Sequence, residues 1–284
     1  CACRTAGARR HRMTPSEKII PALAAIGGRG HLSAAEEDRI CYGVDAMKER
    51  ALPDVVVRPG SAEEVSRILL LANERGVPVY PRGAGTGLTG GATPLKGGIL
   101  LEMTRMNRII SVSRDDMIAV AEPGVVLSDL QARVEREGLF YPPDPASSDF
   151  CTVGGTLAEC AGGLHCVKYG VTRDYVLSVE AVLPTGEIIR TGSRTMKSVV
   201  GYDIGRLLVG SEGTLCVFTG ATLRLIPLPR SVRAVMAFFS RIEDAVGAAG
   251  EVRAAGIVPR TLEILDEMTI RCVSAYKPFG IPPG

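Results

Sequence analysis

The sequence predicts a mixed core of helices and strands, α+β or α/β, in one or two domains, and three observations carry that prediction. Strand-like and helix-like patterns alternate along the chain and open with a βαβ unit. At the carboxyl end of that unit's second strand lies the glycine-dense run Pro81-Arg82-Gly83-Ala84-Gly85-Thr86-Gly87-Leu88-Thr89-Gly90-Gly91-Ala92, where open sheets bind ligands. With 284 residues, 46% hydrophobic and 23% charged, the chain is long enough for two cores.

The elements follow in order. Residues 14–47 carry a helical, surface-like pattern broken at Gly27-Gly28 and read as a peripheral N-terminal segment. Asp54-Val55-Val56-Val57 reads as a strand. A helix opens at Ser61, where Glu64 completes a capping box, buries Val65, Ile68, Leu69 and Ala72, and stops at Gly76. Residues 77–80 form the strand that runs into the glycine loop, and residues 99–102 and 117–122 read as further strands. Ser128 with Gln131 is expected to cap a helix carrying Leu130, Val134 and Gly138.

The stretch from Tyr141 to Gly155 is too long and too rich in Pro and Gly for an idle connection, so it predicts a second ligand-lining loop. Residues 156–160 fit a short helix ended by Gly162-Gly163, and Pro184-Thr185-Gly186 joins residues 176–183 and 187–191 as a hairpin. Gly210-Ser211-Glu212-Gly213-Thr214 turns between two apolar runs, and Pro227 and Pro229 close the unit. Beyond it, residues 232–239 predict a strand, Ser240 with Glu243 a helix to Ala255, and residues 262–265 another strand, the opening of a second domain. A start without methionine, ahead of Met13-Thr14-Pro15, and an end at Gly284 soon after a new pattern begins suggest a fragment.

The glycine loop suits an anion. Glycines at alternate positions let successive N–H groups converge with no Cβ in the way, Thr86 and Thr89 add hydroxyls, and Arg82 adds a positive charge. Gly85-x-Gly87-x-x-Gly90 formally matches a dinucleotide fingerprint, but that fingerprint needs a helix at once, and the Gly- and Pro-rich residues 90–98 cannot sustain one. A P-loop fails for want of a glycine followed by Lys-Ser or Lys-Thr at the right spacing. What remains is a pyrophosphate held by loop amides.

Composition narrows the rest. A net charge of +2 without a basic stripe gives no support for a nucleic-acid partner, and no apolar run reaches the roughly 18 residues that span a bilayer. The basic first residues precede no hydrophobic signal core, so the expectation is a cytoplasmic protein, peripheral to the inner face of the membrane at most. Eight cysteines at irregular spacing read as reduced, mainly buried thiols and not as a metal site. Three histidines leave little material for a metal cluster or a Ser-His-Asp triad.

Six ordered motifs then carry a resemblance: residues 81–87, Tyr141-Pro142-Pro143-Asp144-Pro145, Thr152-Val153-Gly154-Gly155, Ala161-Gly162-Gly163, Lys168-Tyr169-Gly170-Val171-Thr172, and residues 210–214. From about Ile19 onward the chain resembles FAD-linked oxidases of the vanillyl-alcohol oxidase/p-cresol methylhydroxylase type, most of all the flavoprotein subunit of glycolate oxidase and the D-lactate dehydrogenases. The resemblance implies an α+β fold: a peripheral segment over 1–50, an FAD-binding domain of two α+β subdomains over 51–230, and the start of a truncated α+β substrate domain over 231–284.

It further implies non-covalent FAD, with Pro81, Arg82, Gly83, Ala84, Gly85, Thr86 and Gly87 at the pyrophosphate. Pro143, Asp144, Thr152, Gly154, Gly155, Glu159, Gly162, Gly163, Gly170, Glu212 and Gly213 would line the rest of the cofactor. His165 is a candidate covalent anchor, although relatives of the glycolate oxidase type hold FAD without one. Cys160 stands where many relatives carry asparagine, and Cys216 where glycine is usual. The implied reaction converts a small 2-hydroxy acid to the 2-oxo acid, with electrons leaving through an iron–sulfur partner subunit or another acceptor, and with the catalytic base beyond Gly284. An oxidase or an alkylglycerone-phosphate-synthase-like enzyme of the same fold, and a non-catalytic FAD-binding module, are the alternatives.

Overall fold

The structure is a computed structural model and describes residues 15–47, 49–277 and 280. Helix α1 (Pro15–Gly27), strand β1 (Leu32–Ser33) and helix α2 (Glu36–Tyr42) lead into β2 (Val55–Val57), a strand buried at all three positions. Apolar character at every position, without alternation, is what a sheet covered on both faces demands. Helix α3 (Ala62–Arg75) supplies one cover. Ser61 Oγ accepts from the Glu64 N–H at 3.2 Å, while the Glu64 carboxylate accepts from Gly60 N–H at 2.7 Å, one residue short of the predicted reciprocal bond. Gly76, left-handed at φ 62, ends the helix as expected.

β3 (Val79–Arg82) and β4 (Ile99–Glu102) complete a four-stranded sheet of order β1-β2-β4-β3, in which β2 and β3 run parallel to β4 and β1 antiparallel to β2. Val65, Ile68, Leu69 and Ala72 of α3 meet Val55, Val57, Ile99 and Leu101 in one core.

That core also contains Ile19 and Leu23, so α1 is not the peripheral segment predicted from the sequence. Leu23 is 0% exposed. Ile19, Leu23 and Ile26 recur at helical spacing on one face, and burying that stripe outweighs its charged surroundings. The first fourteen residues of the expected segment lie outside the described residues.

The second unit is antiparallel. β5 (Ile109–Ser113), β6 (Ile118–Ala121), β8 (Val176–Val182), β9 (Ile188–Gly192) and β10 (Val217–Arg224) form a sheet of order β5-β6-β10-β8-β9, and β7 (Leu139–Phe140) pairs with β11 (Ile226–Pro227). Helices α4 (Leu127–Glu135), α5 (Val153–Glu159), α6 (Cys166–Tyr169) and α7 (Ile204–Leu208) lie between the strands in sequence. Leu127, Leu130 and Val134 of α4 and Leu157 of α5 pack with Tyr141 and Leu223 in a second core.

Several local expectations change. Val126, not Ser128, precedes α4, and Gln131 donates instead to the Pro143 carbonyl at 2.8 Å, tying the helix to the proline-rich loop. α5 starts three residues early, with Thr152 as its cap, so Gly154 and Gly155 are helical. It ends at Cys160, left-handed at φ 50, and not at the following glycine pair. An asparagine tolerates that backbone better than a cysteine, which accounts for the residue expected there from the resemblance.

Beyond Pro227 come α8 (Ile242–Ala254) and α9 (Glu267–Tyr276). The strands expected at 232–239 and 262–265 do not form, because no neighbouring strand among the described residues offers a hydrogen-bonding ladder. Val235 is 94% exposed and Phe238 62%.

If α1 is integral to the first core, Leu23→Ala should cost about 2–5 kcal/mol. Urea unfolding followed by circular dichroism should show a lower midpoint at unchanged slope. An unchanged midpoint would return α1 to the periphery.

Candidate functional site

β3 ends where the Arg82 carbonyl accepts from Met103 N–H at 2.9 Å, and the chain then leaves the sheet. From Gly83 to Ala92 no backbone N–H donates to another protein group among the described residues. The loop is held open from beneath. A Cβ on Gly83 would collide with Thr152 Oγ1, one on Gly85 (φ 70) with the Arg82 guanidinium, and one on Gly87 would come within 3.0 Å of Glu159 Oε1. Glycine is therefore favoured by contact at Gly83 and by its left-handed backbone at Gly85.

The loop forms one wall of a cleft of about 330 Å³. Thirteen of the residues predicted for the site line it: Pro81, Arg82, Gly83, Ala84, Gly85, Thr86, Gly87, Thr152, Gly154, Gly155, Glu159, Glu212 and Gly213. Five predicted residues do not. Pro143 accepts the Gln131 bond, Asp144 holds His165, Gly163 lies against Asp144, Gly162 against the Cys166 sulfur, and Gly170 (φ 81) against the Asp174 carboxylate. Their neighbours Pro145 and Ala161 do reach the cleft. An open hollow of about 520 Å³ beside Arg108, Ile109 and Ile110 has no comparable convergence of polar groups.

The opposite wall is built by the start of α5 and the turn at 210–214. The first α5 amides are already used, Val153 N–H by the Val125 carbonyl at 2.8 Å and Gly154 N–H by the Pro123 carbonyl at 2.7 Å. Gly154 is glycine because Pro123 occupies the space of a side chain, so its role is close packing. The turn is strapped to α5 by Gly210 N–H to Leu157 O and Glu212 N–H to Ala158 O, both 2.9 Å. This holds Glu212, a non-glycine residue, at φ 52, a strained backbone placed on the cleft.

Charge is unevenly distributed. Arg82 is 8% exposed, with its guanidinium below the loop, Nη1 donating to the Tyr42 carbonyl at 3.3 Å, and its ionisation lowered by burial against the opposing pull of Asp45, Tyr42 and Glu102. Across from it, Glu159 accepts from Thr89 Oγ1 at 3.2 Å, and burial, then the Glu212 and Asp45 charges, push its carboxyl above the usual range. The cleft thus offers a row of amide donors and a buried cation to an anion, beside a carboxyl whose ionisation is disfavoured by burial and by neighbouring carboxylates. Asp45 and Phe218 also line it, brought in from distant segments by tertiary folding alone, whereas Ser147 and Cys151 belong to the loop already predicted to line a ligand.

Residues 53–192 match a family described as an FAD binding domain, and residues 228–284 one described as FAD linked oxidases, C-terminal domain. Glycolate oxidase subunit GlcD of Bacillus subtilis (strain 168) is 42% identical over 261 residues, covering 92% of this chain and 56% of the relative. D-lactate dehydrogenase of Anaerostipes hadrus is 37% identical over 254 residues, covering 89% and 52%. The chain spans about half the length of these curated relatives. Among solved structures, an alkyldihydroxyacetonephosphate synthase superposes with a TM-score of 0.80 at 27% identity, over 94% of this chain and 55% of that one.

The raised Glu159 ionisation sets a pH dependence. Protonated Glu159 is favoured in the folded state, so its contribution is complete below the ordinary carboxyl value and is lost as pH rises through the raised one. Glu159→Gln, permanently neutral, should melt about 1–3 °C above the parent at pH 8 in the ligand-free chain, with the gap closing toward pH 5. A gap that widens on acidification would contradict the assigned direction.

Proposed function

The chain belongs to the family of FAD-linked oxidases, and from that premise we propose that it serves the oxidation of a small 2-hydroxy acid, glycolate or D-lactate, to the 2-oxo acid. The cofactor is FAD, which supplies the two-electron acceptor when bound. The single observation that carries the site assignment is the run of unpaired amides from Gly83 to Ala92 on the cleft, in a loop whose glycines at 83 and 85 sit directly on Thr152 and Arg82. We assign residues 51–230 to cofactor binding and residues 231–284 to the opening of the substrate domain.

In this reading Gly83 to Gly87 seat the pyrophosphate through backbone N–H groups, with Pro81 bordering the seat and Arg82 supplying positive charge from below. Glu159 and Thr89 offer side-chain hydrogen bonds at the edge of that seat. Thr152, Gly155, Glu212 and Gly213 line the rest of the cleft. Asp144, Pro143, Gly162, Gly163 and Gly170 act one layer behind, fixing the shape of that wall. The substrate is supported by the names of the relatives: two oxidise hydroxy acids by name, and one is named as a subunit, which supports a partner chain, with an iron–sulfur protein as the acceptor we propose. No helix among the described residues is long and apolar enough to cross a membrane.

The solved alkyldihydroxyacetonephosphate synthase favours a second reading, group transfer on the same fold. Anaerobic addition of D-lactate or glycolate to the flavin-loaded protein in its physiological length separates the two: bleaching supports oxidation, and none supports transfer.

The chain should purify yellow or take up FAD, and Gly85→Val should weaken uptake at least about tenfold through strain and collision with Arg82 while far-UV circular dichroism stays the same. A folded Gly85→Val protein that holds FAD as the parent does would remove the loop from the site.

A further inference from the structure

The cleft that presents amides to an anion is nevertheless short of positive charge. Its charged lining side chains are Arg82, Asp45, Glu159 and Glu212, a single cation among carboxylates. Arg82 does not offset them. It is buried beneath Gly85, held by the Tyr42 carbonyl, and it already faces Asp45 and the buried Glu102 carboxylate, its register partner across β3 and β4. The lining thiols of Cys151 and Cys216 are pushed toward their neutral form by burial and add no charge. A pyrophosphate entering this cleft brings further negative charge against the carboxylates already there.

Glu159 is the carboxylate placed to relieve that excess. It ends α5 with its side chain against the glycine loop: Oε1 lies 3.0 Å from where a Cβ on Gly87 would sit, and Thr89 Oγ1 donates to Oε1 at 3.2 Å and to Oε2 at 3.4 Å. The groups that face it are Thr89 from the loop, Glu212 from the 210–214 turn and Asp45 from the segment after α2, so every charge on that side is negative. Among the described residues no ion pair involves Glu159. Its two acidic neighbours are placed differently. Asp45 accepts from the Met47 N–H at 2.9 Å and has Arg82 opposite it, while Glu212 is exposed to solvent. Glu159 alone is half-buried against the loop with neither a cation nor a backbone donor among the described residues.

We propose that FAD enters this cleft together with a proton from solvent that Glu159 takes up, so that the surrounding pH sets how tightly the cofactor is held. The proposal rests on the reading of residues 83–87 as the pyrophosphate seat and adds a control of that seat. Neutralising Glu159 removes a negative charge beside the anion and keeps the Thr89 bond, because a protonated carboxyl still accepts through its carbonyl oxygen. Linkage is reciprocal: a cofactor that raises the proton affinity of Glu159 is itself bound more tightly where that proton is present. FAD affinity is therefore greatest at low pH. It falls by up to about tenfold per pH unit as pH rises through the value of Glu159 in the free cleft, and levels off above its higher value in the filled one.

Calorimetric titration of FAD into the flavin-free protein in its physiological length, in buffers of different ionisation enthalpy, counts the protons without turnover. The parent should take up about 0.3–1 proton per FAD near neutral pH, and its FAD affinity should fall at least about tenfold from about pH 5.5 to about pH 8.5. Glu159→Gln should give a flat profile without uptake, holding FAD at about pH 8.5 as tightly as the parent does at about pH 5.5. Glu212→Gln removes a facing charge but leaves the titrating group, so it should move the fall to lower pH without abolishing it. FAD binding by the parent without proton uptake, an equal fall in Glu159→Gln, or binding that needs added magnesium and is lost with a chelator would each overturn the proposal and leave the FAD seat standing. A folded parent that binds no FAD at any pH would remove the seat as well. The proton count on the parent decides the proposal even where a variant fails to fold.

Discussion

Backbone N–H groups need partners, and the account of this protein depends on where those of residues 83–92 find theirs. Helix and strand satisfy amides internally, so a ten-residue run that satisfies none within the described protein marks a place where the fold has kept its donors for something else. Such a loop collapses onto itself unless its neighbours hold it open. Arg82 lies under Gly85, Thr152 touches Gly83 and Glu159 borders Gly87, so the loop is propped by three side chains from two different units. The ligand chemistry follows from that propping: many donors in a small arc select an anion, and the missing Cβ atoms allow it close approach.

The props must arrive in register, which explains why the two units are fused so firmly. Val182 of β8 and Val217 of β10 belong to the core built around β2, β4 and α3, so the antiparallel sheet is anchored in the parallel one. Ser66 of α3 donates to the Gly186 carbonyl, and Leu70 fills the space above that glycine. With the sheets locked together, α5 presents Thr152 and Glu159 to the loop at fixed height, and the 210–214 turn, held by the α5 carbonyls, closes the same wall. Strain at Glu212 is tolerated because two hydrogen bonds from the turn to α5 over-determine its backbone.

Much of this was legible in the sequence because local chemistry decided it. The Ser61 cap, the Gly76 terminus, the valine strand and the glycine loop are each fixed by residue type at short range, and the structure places them as expected. Fold class and family were legible through ordered motifs. What was not legible depended on partners far away in sequence. α1 looks like a surface helix until a core is supplied for Leu23, and Asp45 and Phe218 carry no signal of a cleft they reach only through the tertiary fold. The segments at 232–239 and 262–265 have strand composition but no neighbouring strand among the described residues, and composition cannot supply a ladder. Glycines at 154, 163 and 170 were read as cofactor contacts, and the structure gives each a packing neighbour, Pro123, Asp144 and Asp174 in turn, while of the three Gly154 also lines the cleft.

The central claim is that FAD is seated by the unpaired amides of one loop against the α5 wall. Hydrogen–deuterium exchange of the chain with and without FAD addresses it amide by amide. The account predicts that residues 83–91 slow by at least about tenfold on FAD addition, as expected when bound ligand pairs amides otherwise open to water, while the already paired amides of Val153 and Gly154 change little. Protection confined to other segments, with the 83–91 amides exchanging as fast as before, would contradict it.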